Sequence, residues 1–300
     1  MKQFSDLDTN VVYFSQFFAH RFPGVFGPSK TNLKANGIQV RLIPGNFNIW
    51  CRDYMPLQVG DHFVQFGYKG YSSDGLASGY EDYPWLIVPE KCFDVCKPLV
   101  KSEIVLDGGG VIRSKTTAII TEKVFLDNPS VKRPDLIAKL QKIFNLDVVI
   151  IPIEPGDTLG HSDGICKFID GDKHLLVNDY SSMFPPYLKF HNELMTRLGK
   201  AGITVELMPY AYGLCPQLTD ADFHAQYPLA DDNNPAVGYC INFLLTKSVV
   251  LAPAFGIDKD EAAIATLRKW YPKHAVIAID CKELSMEGGL MSCTSWNVVE

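Results

Sequence analysis

The chain has 300 residues, of which 47% are hydrophobic, 12% aromatic and 21% charged, and these proportions exclude global disorder. Lys and Arg number 28 against 34 Asp and Glu, a formal net charge of −6, which argues against a nucleic-acid-binding protein because phosphate contacts need a basic surface. No apolar run approaches the roughly 20 residues that span a bilayer, and the first residues do not resemble a secretory signal. We therefore expect a cytoplasmic protein with neither membrane nor nucleic acid as a partner.

The eight cysteines are scattered along the chain, at positions 51, 92, 96, 166, 215, 240, 281 and 293. A chain of this length buries a core without disulfides, so most of these cysteines are expected to be reduced and buried. Cys92 and Cys96 form the one close pair, and a single C-x3-C on a predicted helix indicates packing more often than zinc binding.

In chain order, five β-rich runs recur at roughly even spacing, and each leads into a loop rich in Gly, Pro or acidic residues. The runs are Ile38–Pro44, Lys101–Asp107, Asp147–Ile153, Ile203–Pro209 and His274–Asp280. Apolar residues three and four apart predict helices before the last four runs, namely Glu90–Val100, Asp135–Phe144, His191–Lys200 and Asp260–Trp270. A further strand is predicted after each of the first four runs, namely Phe63–Gly67, Thr117–Thr121, His174–Asn178 and Gly238–Thr246.

Two α/β architectures produce this alternation. One is a doubly wound sheet with a single ligand cleft at its switch point. The other is a closed ring of five ββαβ-like units that surrounds one central site with loops, and the regular spacing favours it. The acidic, turn-rich segment 220–235 is typical of a surface loop or lid, and since no linker is evident, residues 1–300 are predicted to form one domain.

Two short segments after the first two runs carry unusual residue combinations. In the first, Trp50, Arg52 and Asp53 lie in a loop after a strand, and the alternative to a functional site there is a surface ion pair beside a partly buried Trp. In the second, Asp107 precedes three glycines, which let the backbone approach a ligand closely. No Gly-Lys-Ser/Thr follows, so a phosphate loop is not indicated, and by itself this segment is more typical of a turn than of a ligand site.

Two later segments carry a histidine and a cysteine. His161 and Asp163 stand between glycines, and in an extended segment their side chains would point to the same side. Cys293 follows Gly288-Gly289 and alone among the cysteines combines flexible backbone with polar neighbours, as a reactive thiol requires. The alternatives are a structural histidine and a packed cysteine.

The four segments together indicate a cysteine hydrolase with a cationic substrate. An acyl-transfer cysteine enzyme needs one orienting carboxylate or amide, whereas two or three carboxylates match the paired N–H groups of a guanidinium.

The motifs resemble the agmatine deiminase and bacterial peptidyl-arginine deiminase family of the guanidino-group-modifying (pentein) enzymes. The resemblance extends from about Ile38 to Asn297 and rests on four motifs in order: Trp50-x-Arg52-Asp53, Leu106-Asp107-Gly108-Gly109, Gly160-His161-x-Asp163 and Gly288-Gly289-x-x-x-Cys293. It implies a five-bladed α/β propeller of pseudo-fivefold ββαβ-like repeats, which agrees with the repeat count.

For the site, the resemblance implies that Cys293 attacks the guanidinium carbon while Asp53 and Asp163 bind the guanidinium nitrogens and His161 transfers protons. Further substrate contacts are expected from Asp107, Asn242, Trp50 and Trp296, although the two tryptophans are as readily explained by core packing. No metal or organic cofactor is implied, because the thiolate performs the covalent chemistry. The expected partner is a small guanidino compound or an arginine side chain, and a homo-oligomer is compatible with the sequence.

The chain departs from typical agmatine deiminases at three places. Asp107 replaces a Glu, Tyr54-Met55-Pro56 replaces Thr-Gly-Pro, and Ser292 replaces a His before the cysteine. Asp107 and the residues after Cys293 look more like the peptidyl-arginine branch. The expected reaction is deimination of agmatine or a peptidyl-arginine type substrate to a ureido group and ammonia. The alternatives are an amidinotransferase or other cysteine hydrolase of the superfamily, and a propeller that only binds guanidino ligands.

Overall fold

The computed structural model describes residues 3–44, 48–68, 70–71, 77–78, 95–157, 159–183, 185–210 and 235–300. Helices lie between the strands along the described chain, at Gln16–Arg21, Pro23–Ala35, Cys51–Tyr54, Lys123–Asp127, Arg133–Phe144, Pro185–Lys200, Lys259–Trp270 and Lys282–Ser285. Short 3-10 turns occur at Asp6–Asp8, Gly108–Gly110 and Ser162–Gly164. No helix of these described residues is both long enough and apolar enough to cross a membrane.

The described strands form five three-stranded sheets that share one topology. In each sheet the middle strand pairs antiparallel with one neighbour and parallel with the other. With the middle strand in second place, the sheets are Ser295–Val298, Val11–Ser15, Gln39–Ile43; Leu57–Val59, His62–Gly67, Leu99–Val105; Val111–Arg113, Thr117–Thr121, Asp147–Ile151; Cys166–Phe168, His174–Asn178, Thr204–Met208; and Leu244–Leu245, Val249–Ala254, Ala275–Asp280. A two-stranded ribbon joins Gly70–Tyr71 to Ala77–Ser78.

The first sheet brings the two ends of the chain together. Val11–Ser15 pairs antiparallel with Ser295–Val298, with Val11 opposite Val298 and Phe14 opposite Ser295. Every residue of both strands is buried. Because Cys293 lies just before the strand Ser295–Val298, this pairing fixes the position of Cys293 relative to the first sheet.

Helices pack on the sheets through apolar side chains spaced three and four residues apart. Arg133–Phe144 buries Leu136, Leu140 and Phe144, and Pro185–Lys200 likewise buries a face that includes Leu194 and Leu198. Asn145, with a φ of 51°, ends the first of these helices in the left-handed conformation, as expected for a C-terminal cap.

Most of the predicted elements are confirmed. The strands Thr117–Thr121 and His174–Asn178 match the prediction residue for residue, and the run predicted at Lys101–Asp107 forms the strand Leu99–Val105. The first three predicted second strands each pair with the β-rich run that follows them, not with the one before. The separate small sheets also exclude one continuous doubly wound sheet over the described residues.

Two element predictions are wrong. Within the predicted helix Glu90–Val100, residues 95–98 form turns and the strand begins at Leu99, since Pro98 disfavours helical backbone in the residue before it; residues 90–94 lie outside the described residues. Within the predicted strand Gly238–Thr246, only Leu244–Leu245 is extended. The middle strand of that sheet is Val249–Ala254, a continuously apolar run that the sequence analysis did not identify.

The cysteine prediction is confirmed for the described residues. Cys51, Cys96, Cys166, Cys240 and Cys281 are free and buried, and Cys293 is free and partly exposed. Cys92, Cys215 and residues 220–234 of the predicted loop or lid 220–235 lie outside the described residues.

Candidate active site

Seven of the eight residues predicted for the site line one cavity. The cavity has a volume of about 330 Å3, and the seven are Trp50, Asp53, Asp107, His161, Asp163, Asn242 and Cys293. They come from five segments of the chain, each of which connects a strand of one three-stranded sheet to a strand of another. Residues that are far apart in the sequence therefore meet at one place.

Trp296 is the exception, and its predicted place in the cavity wall is wrong. Its side chain is buried in a core cluster, against the Tyr13 ring at a centroid distance of 4.9 Å. The indole N–H donates to the carbonyl oxygen of Pro56 at 2.8 Å. Both the apolar and the polar part of Trp296 are thus used within the fold, so the core-packing alternative holds for it.

Asp53 is positioned by a short helix and by a glycine turn. The helix Cys51–Tyr54 presents Asp53 to the cavity, where its Oδ1 accepts a hydrogen bond of 2.9 Å from the backbone N–H of Gly109. A Cβ atom on Gly109 would lie 2.7 Å from both Asp53 Oδ1 and His161 Nδ1. Glycine is therefore required here because two reactive side chains approach the backbone directly.

Trp50 forms a wall of the cavity against the second glycine motif. A Cβ atom on Gly289 would lie 2.5 Å from the Trp50 ring, so the ring packs directly on the backbone before Cys293. The late Gly-Gly pair therefore allows an aromatic side chain to line the cavity next to the cysteine.

His161 lies between two carboxylates. Its Nε2 is 3.3 Å from Asp107 Oδ2 and its Nδ1 is 3.8 Å from Asp53 Oδ1. Burial alone would lower the pKa of His161, but the charge of Asp53 and then the contact with Asp107 outweigh it and raise the pKa to about 10. The imidazole is thus held in its protonated form at neutral pH.

The other titratable groups of the cavity are also shifted by burial. Burial raises the pKa of Asp53 to about 7, against the attraction of His161 and with further repulsion from Asp107 and Asp163. Burial, followed by repulsion from Asp163 and Asp53, raises the pKa of the Cys293 thiol well above its usual range. Shifts of this kind are typical of sites that perform acid–base or nucleophilic chemistry.

Asn242 fixes the turn that carries the cysteine. Its Oδ1 accepts from the backbone N–H of Ser292 at 3.2 Å and from the Cys293 thiol at 3.4 Å. Its Nδ2 donates to the carbonyl oxygen of Asp163 at 3.3 Å. One amide therefore sets the position of the thiol relative to the loop that carries Asp163.

Asp163 has a carboxylate that the described residues leave without a hydrogen bond. The residue is buried, and neither of its side-chain oxygens has a hydrogen-bond partner among the described residues; the same holds for Oδ1 of Asp107. His161 and Asp163 do not lie in the extended segment that was predicted, since residues 162–164 form a 3-10 turn. Both side chains nevertheless face the cavity. Buried carboxylate oxygens without donors are costly, and a bound cation with N–H groups would satisfy them.

The sequence analysis missed five polar residues of the cavity wall, namely Asn48, Tyr68, Asp157, Tyr239 and Glu287. Asp157 accepts hydrogen bonds from the backbone N–H groups of Leu159 at 2.8 Å and His161 at 3.0 Å. Its signal was available, because it follows a β-rich run as the other site residues do. Glu287 directly precedes the Gly-Gly pair, and Tyr239 lies in the predicted strand Gly238–Thr246 together with Asn242.

Within the described ranges, no group of three or more His, Cys, Asp or Glu side chains is arranged to hold a metal ion. The described cavity wall contains the carboxylates Asp53, Asp107, Asp157, Asp163 and Glu287, and no Lys or Arg. This charge distribution suits a cationic ligand.

Comparison with known proteins identifies the family of the chain. The family model of the Porphyromonas-type peptidyl-arginine deiminases matches residues 24–298. The chain belongs to that family. An agmatine deiminase of Pseudomonas putida is 27% identical in an alignment of 270 residues that covers 83% of this chain and 73% of the relative.

Solved structures of the family have the same fold. The agmatine deiminase of Enterococcus faecalis superposes with a TM-score of 0.77 at 17% identity, over 100% of this chain and 96% of that one. A substituted C. jejuni agmatine deiminase with substrate bound gives a TM-score of 0.73 at 16% identity, over 100% of this chain and 96% of that one. The family match leaves out the first 23 residues, although Val11–Ser15 is the middle strand of a sheet.

Proposed function

We propose that this deiminase-family chain hydrolyses the guanidino group of a small cation to a ureido group and ammonia, through a covalent intermediate on Cys293. The observation that carries the proposal is the set of groups around one cavity. A thiol, a protonated imidazole and several buried carboxylates line it, and the Asp163 oxygens lack hydrogen-bond partners among the described residues.

Asp53 and Asp163 act as the guanidinium clamp in this proposal. Two carboxylates match the N–H groups of a planar guanidinium and hold its carbon near the sulfur. The cation also changes the charge balance of the cavity. The two carboxylates that disfavour the Cys293 thiolate in the free protein are neutralised when the cation binds, so the thiol proton is released more readily in the complex.

The reaction then proceeds in two halves. The Cys293 thiolate adds to the guanidinium carbon, His161 donates a proton to one nitrogen, and ammonia leaves to give an S-alkylthiouronium. Neutral His161 next takes one proton from the attacking water. The hydroxyl of the tetrahedral adduct then loses its proton to solvent as the C–S bond breaks, which releases the ureido product and the thiolate. Asp107 and Asp53 stabilise the His161 cation, which is present at the start and forms again when water attacks, and Asn242 holds the sulfur in place. Trp50 offers an aromatic wall to the cation.

The substrate class follows from the charge of the described cavity wall. The carboxylate of free arginine would meet Asp and Glu side chains there without a Lys or Arg partner. A guanidino amine or another guanidino compound without a free carboxylate fits better. The relatives named agmatine deiminases support this choice.

We also propose that residues 1–300 form one domain, a five-bladed α/β propeller around this cavity. Five sheets of the same topology support it, as does the pairing of strands from the two ends of the chain, which would close the ring.

The test is ammonia release from agmatine, free arginine and an arginine peptide, with the wild type and with Cys293→Ala. We expect turnover of agmatine that disappears in Cys293→Ala. The matched control is Cys281→Ala, which changes a buried cysteine outside the described cavity wall and should keep kcat within about threefold if the protein folds. Activity retained by Cys293→Ala would refute the covalent scheme, and an added amine that receives the amidine group would favour the transferase.

A further inference from the structure

A group of cationic side chains lies behind the turn that carries Cys293. Arg52, Arg113 and Lys167 line a second cavity of about 30 Å3 together with Asp6, and Asp163 and Ser292 belong to its wall as well. Asp163 also lines the large cavity, so it separates the acidic site from this basic group. Arg113 and Lys167 do not line the large cavity and have no role in the proposed reaction.

The basic group holds Ser292, the residue before the nucleophile. Lys167 Nζ donates to Ser292 Oγ at 3.2 Å, and Arg52 Nε donates to the Ser292 carbonyl oxygen at 3.1 Å. The backbone N–H of Arg52 donates to the carbonyl oxygen of Cys293 at 3.2 Å. The Ser292 N–H is taken by Asn242, so every polar group of this buried serine is engaged.

Lys167 is buried, with its ammonium 5.7 Å from the Phe243 ring centroid. Its acidic neighbour is Asp6, with an Oδ2 to Nζ distance of 3.5 Å. Asp6 in turn accepts a hydrogen bond of 3.2 Å from Asn297 Nδ2. Asp6 belongs to the N-terminal segment that the family match leaves out.

We infer that Lys167 is a positioning residue for the nucleophile, acting through the hydroxyl of Ser292, and that Asp6 keeps the Lys167 ammonium in its buried place. The inference rests on the proposed role of Cys293. A nucleophile works only within a narrow range of positions, and a displacement of about 1 Å can cost about a hundredfold in rate. A buried ammonium without a counter-ion would turn towards solvent or other acceptors and release the serine.

The first test compares Ser292→Ala, Lys167→Met and Lys167→Arg. Ser292→Ala should lower kcat about tenfold and leave KM within about threefold, because the substrate clamp is untouched. Lys167→Met should likewise lower kcat about tenfold, Lys167→Arg should recover most of that loss, and the double variant should be no slower than either single variant because the two groups act as one unit. Should Lys167→Met fail to fold, the single hydroxyl removed in Ser292→Ala still decides.

The role of Asp6 has a matched control in the same turn. Asp6→Asn should lower kcat about tenfold, because Lys167 loses its counter-ion. Asp8 lies in the same 3-10 turn, but its Oδ1 pairs with Lys115 at 2.8 Å at the surface, so Asp8→Asn should keep kcat within about twofold. Equal effects of the two substitutions would overturn the role of Asp6.

Alkylation of Cys293 separates this inference from the proposed function. The rate of carboxamidomethylation by iodoacetamide, followed at the Cys293 peptide by mass spectrometry, needs no substrate. We expect Ser292→Ala and Lys167→Met to react several-fold more slowly, with Lys167→Arg close to the wild type. Wild-type rates in Ser292→Ala and Lys167→Met would overturn the inference even if the deiminase activity holds. If the alkylation rate of Cys293 depends on Lys167 but the protein turns over no guanidino compound, the inference is supported and only the proposed function is refuted.

Discussion

Glu154 and Asp163 are two buried carboxyl groups close together in the chain, each 2% exposed, and their surroundings differ completely. Glu154 accepts hydrogen bonds from three tyrosine hydroxyls, those of Tyr210 at 2.7 Å, Tyr180 at 3.0 Å and Tyr239 at 3.3 Å. Asp163 has no hydrogen-bond partner for either oxygen among the described residues.

The difference shows that burial of a carboxyl group does not reveal its role, whereas its hydrogen-bond partners do. Buried polar groups in folded proteins are nearly always paired, since an unpaired one costs free energy. Glu154 meets this rule within the fold, so we interpret it as structural. Asp163 breaks the rule at a cavity, as expected when the missing donors come from the substrate.

Asp163→Asn should show the largest effect on activity. The change is nearly isosteric and removes the charge of the proposed clamp, so kcat/KM for a guanidino substrate should fall by about a thousandfold or more, roughly 4 kcal/mol of transition-state stabilisation. The free energy of unfolding should stay the same or rise, because a buried unpaired charge is removed. Steady-state kinetics and urea unfolding measure the two quantities. Lower stability with intact turnover would place Asp163 in the same class as Glu154.

Glu154→Ala should show the opposite pattern. It removes the acceptor of three tyrosine hydroxyls, two of them on buried residues, at about 1–3 kcal/mol for each, so unfolding should become easier by about 3–5 kcal/mol if the losses are partly shared. Tyr180→Phe removes one donor only and serves as the control, with an expected loss of about 1–2 kcal/mol. If urea unfolding showed no loss for Glu154→Ala, the structural interpretation of the tyrosine cluster would be wrong.

The sequence predicted the residues of the candidate site better than it predicted the buried polar residues of the surrounding fold. Asp53, Asp107, His161 and Cys293 were found because each stands beside a strand in a repeated unit, a pattern that survives without any knowledge of contacts. The tyrosines around Glu154 follow no such pattern, since three different segments bring them together only in the folded chain. Strands that pair with partners far away in the sequence are also missed by local patterns.

The first and last sheet strands show this limit. Val11–Ser15 and Ser295–Val298 are both buried by pairing across nearly the whole chain, and neither is evident from local periodicity. Trp296 was placed in the cavity for the same reason, because its side of the strand depends on that pairing. Pro98 was a local signal that should have excluded the helix Glu90–Val100.

The ionisation of Glu154 predicts a pH dependence of stability. Burial raises its pKa to about 8, from an ordinary 4.5, despite the tyrosine hydrogen bonds. Between these values the folded state holds a proton that the unfolded chain has lost, so the contribution of Glu154 is complete below pH 4.5 and declines as the pH rises towards 8. Glu154→Gln cannot titrate and should flatten this decline by about 2–4 kcal/mol.

Urea unfolding of both proteins between pH 5 and pH 8.5 measures the difference. Asp53 and His161 titrate in both, so their contributions cancel in the comparison. Parallel curves for the two proteins would mean that Glu154 is ionised in the folded state over this whole pH range, stabilised by its three tyrosine donors. The predicted rise in the pKa of Glu154 would then be wrong.

The smallest effect is expected at Glu287. This carboxylate of the cavity wall forms an ion pair whose cationic partner, Arg21, can be replaced. It pairs with Arg21 at 2.6 Å, and the two side chains are 21% and 37% exposed. Arg21→Ala should change stability by less than about 1 kcal/mol, as is usual for exposed ion pairs. It should also lower KM for a cationic substrate by about two- to threefold at low salt, and by less at high salt, because the wall becomes more negative.

Arg41, paired with Glu300 at similar exposure, lies outside the described cavity wall, so Arg41→Ala should match the stability change and leave KM unaltered. The same KM shift in both variants would assign the effect to net charge, and Glu287 would then belong with the satisfied carboxylates.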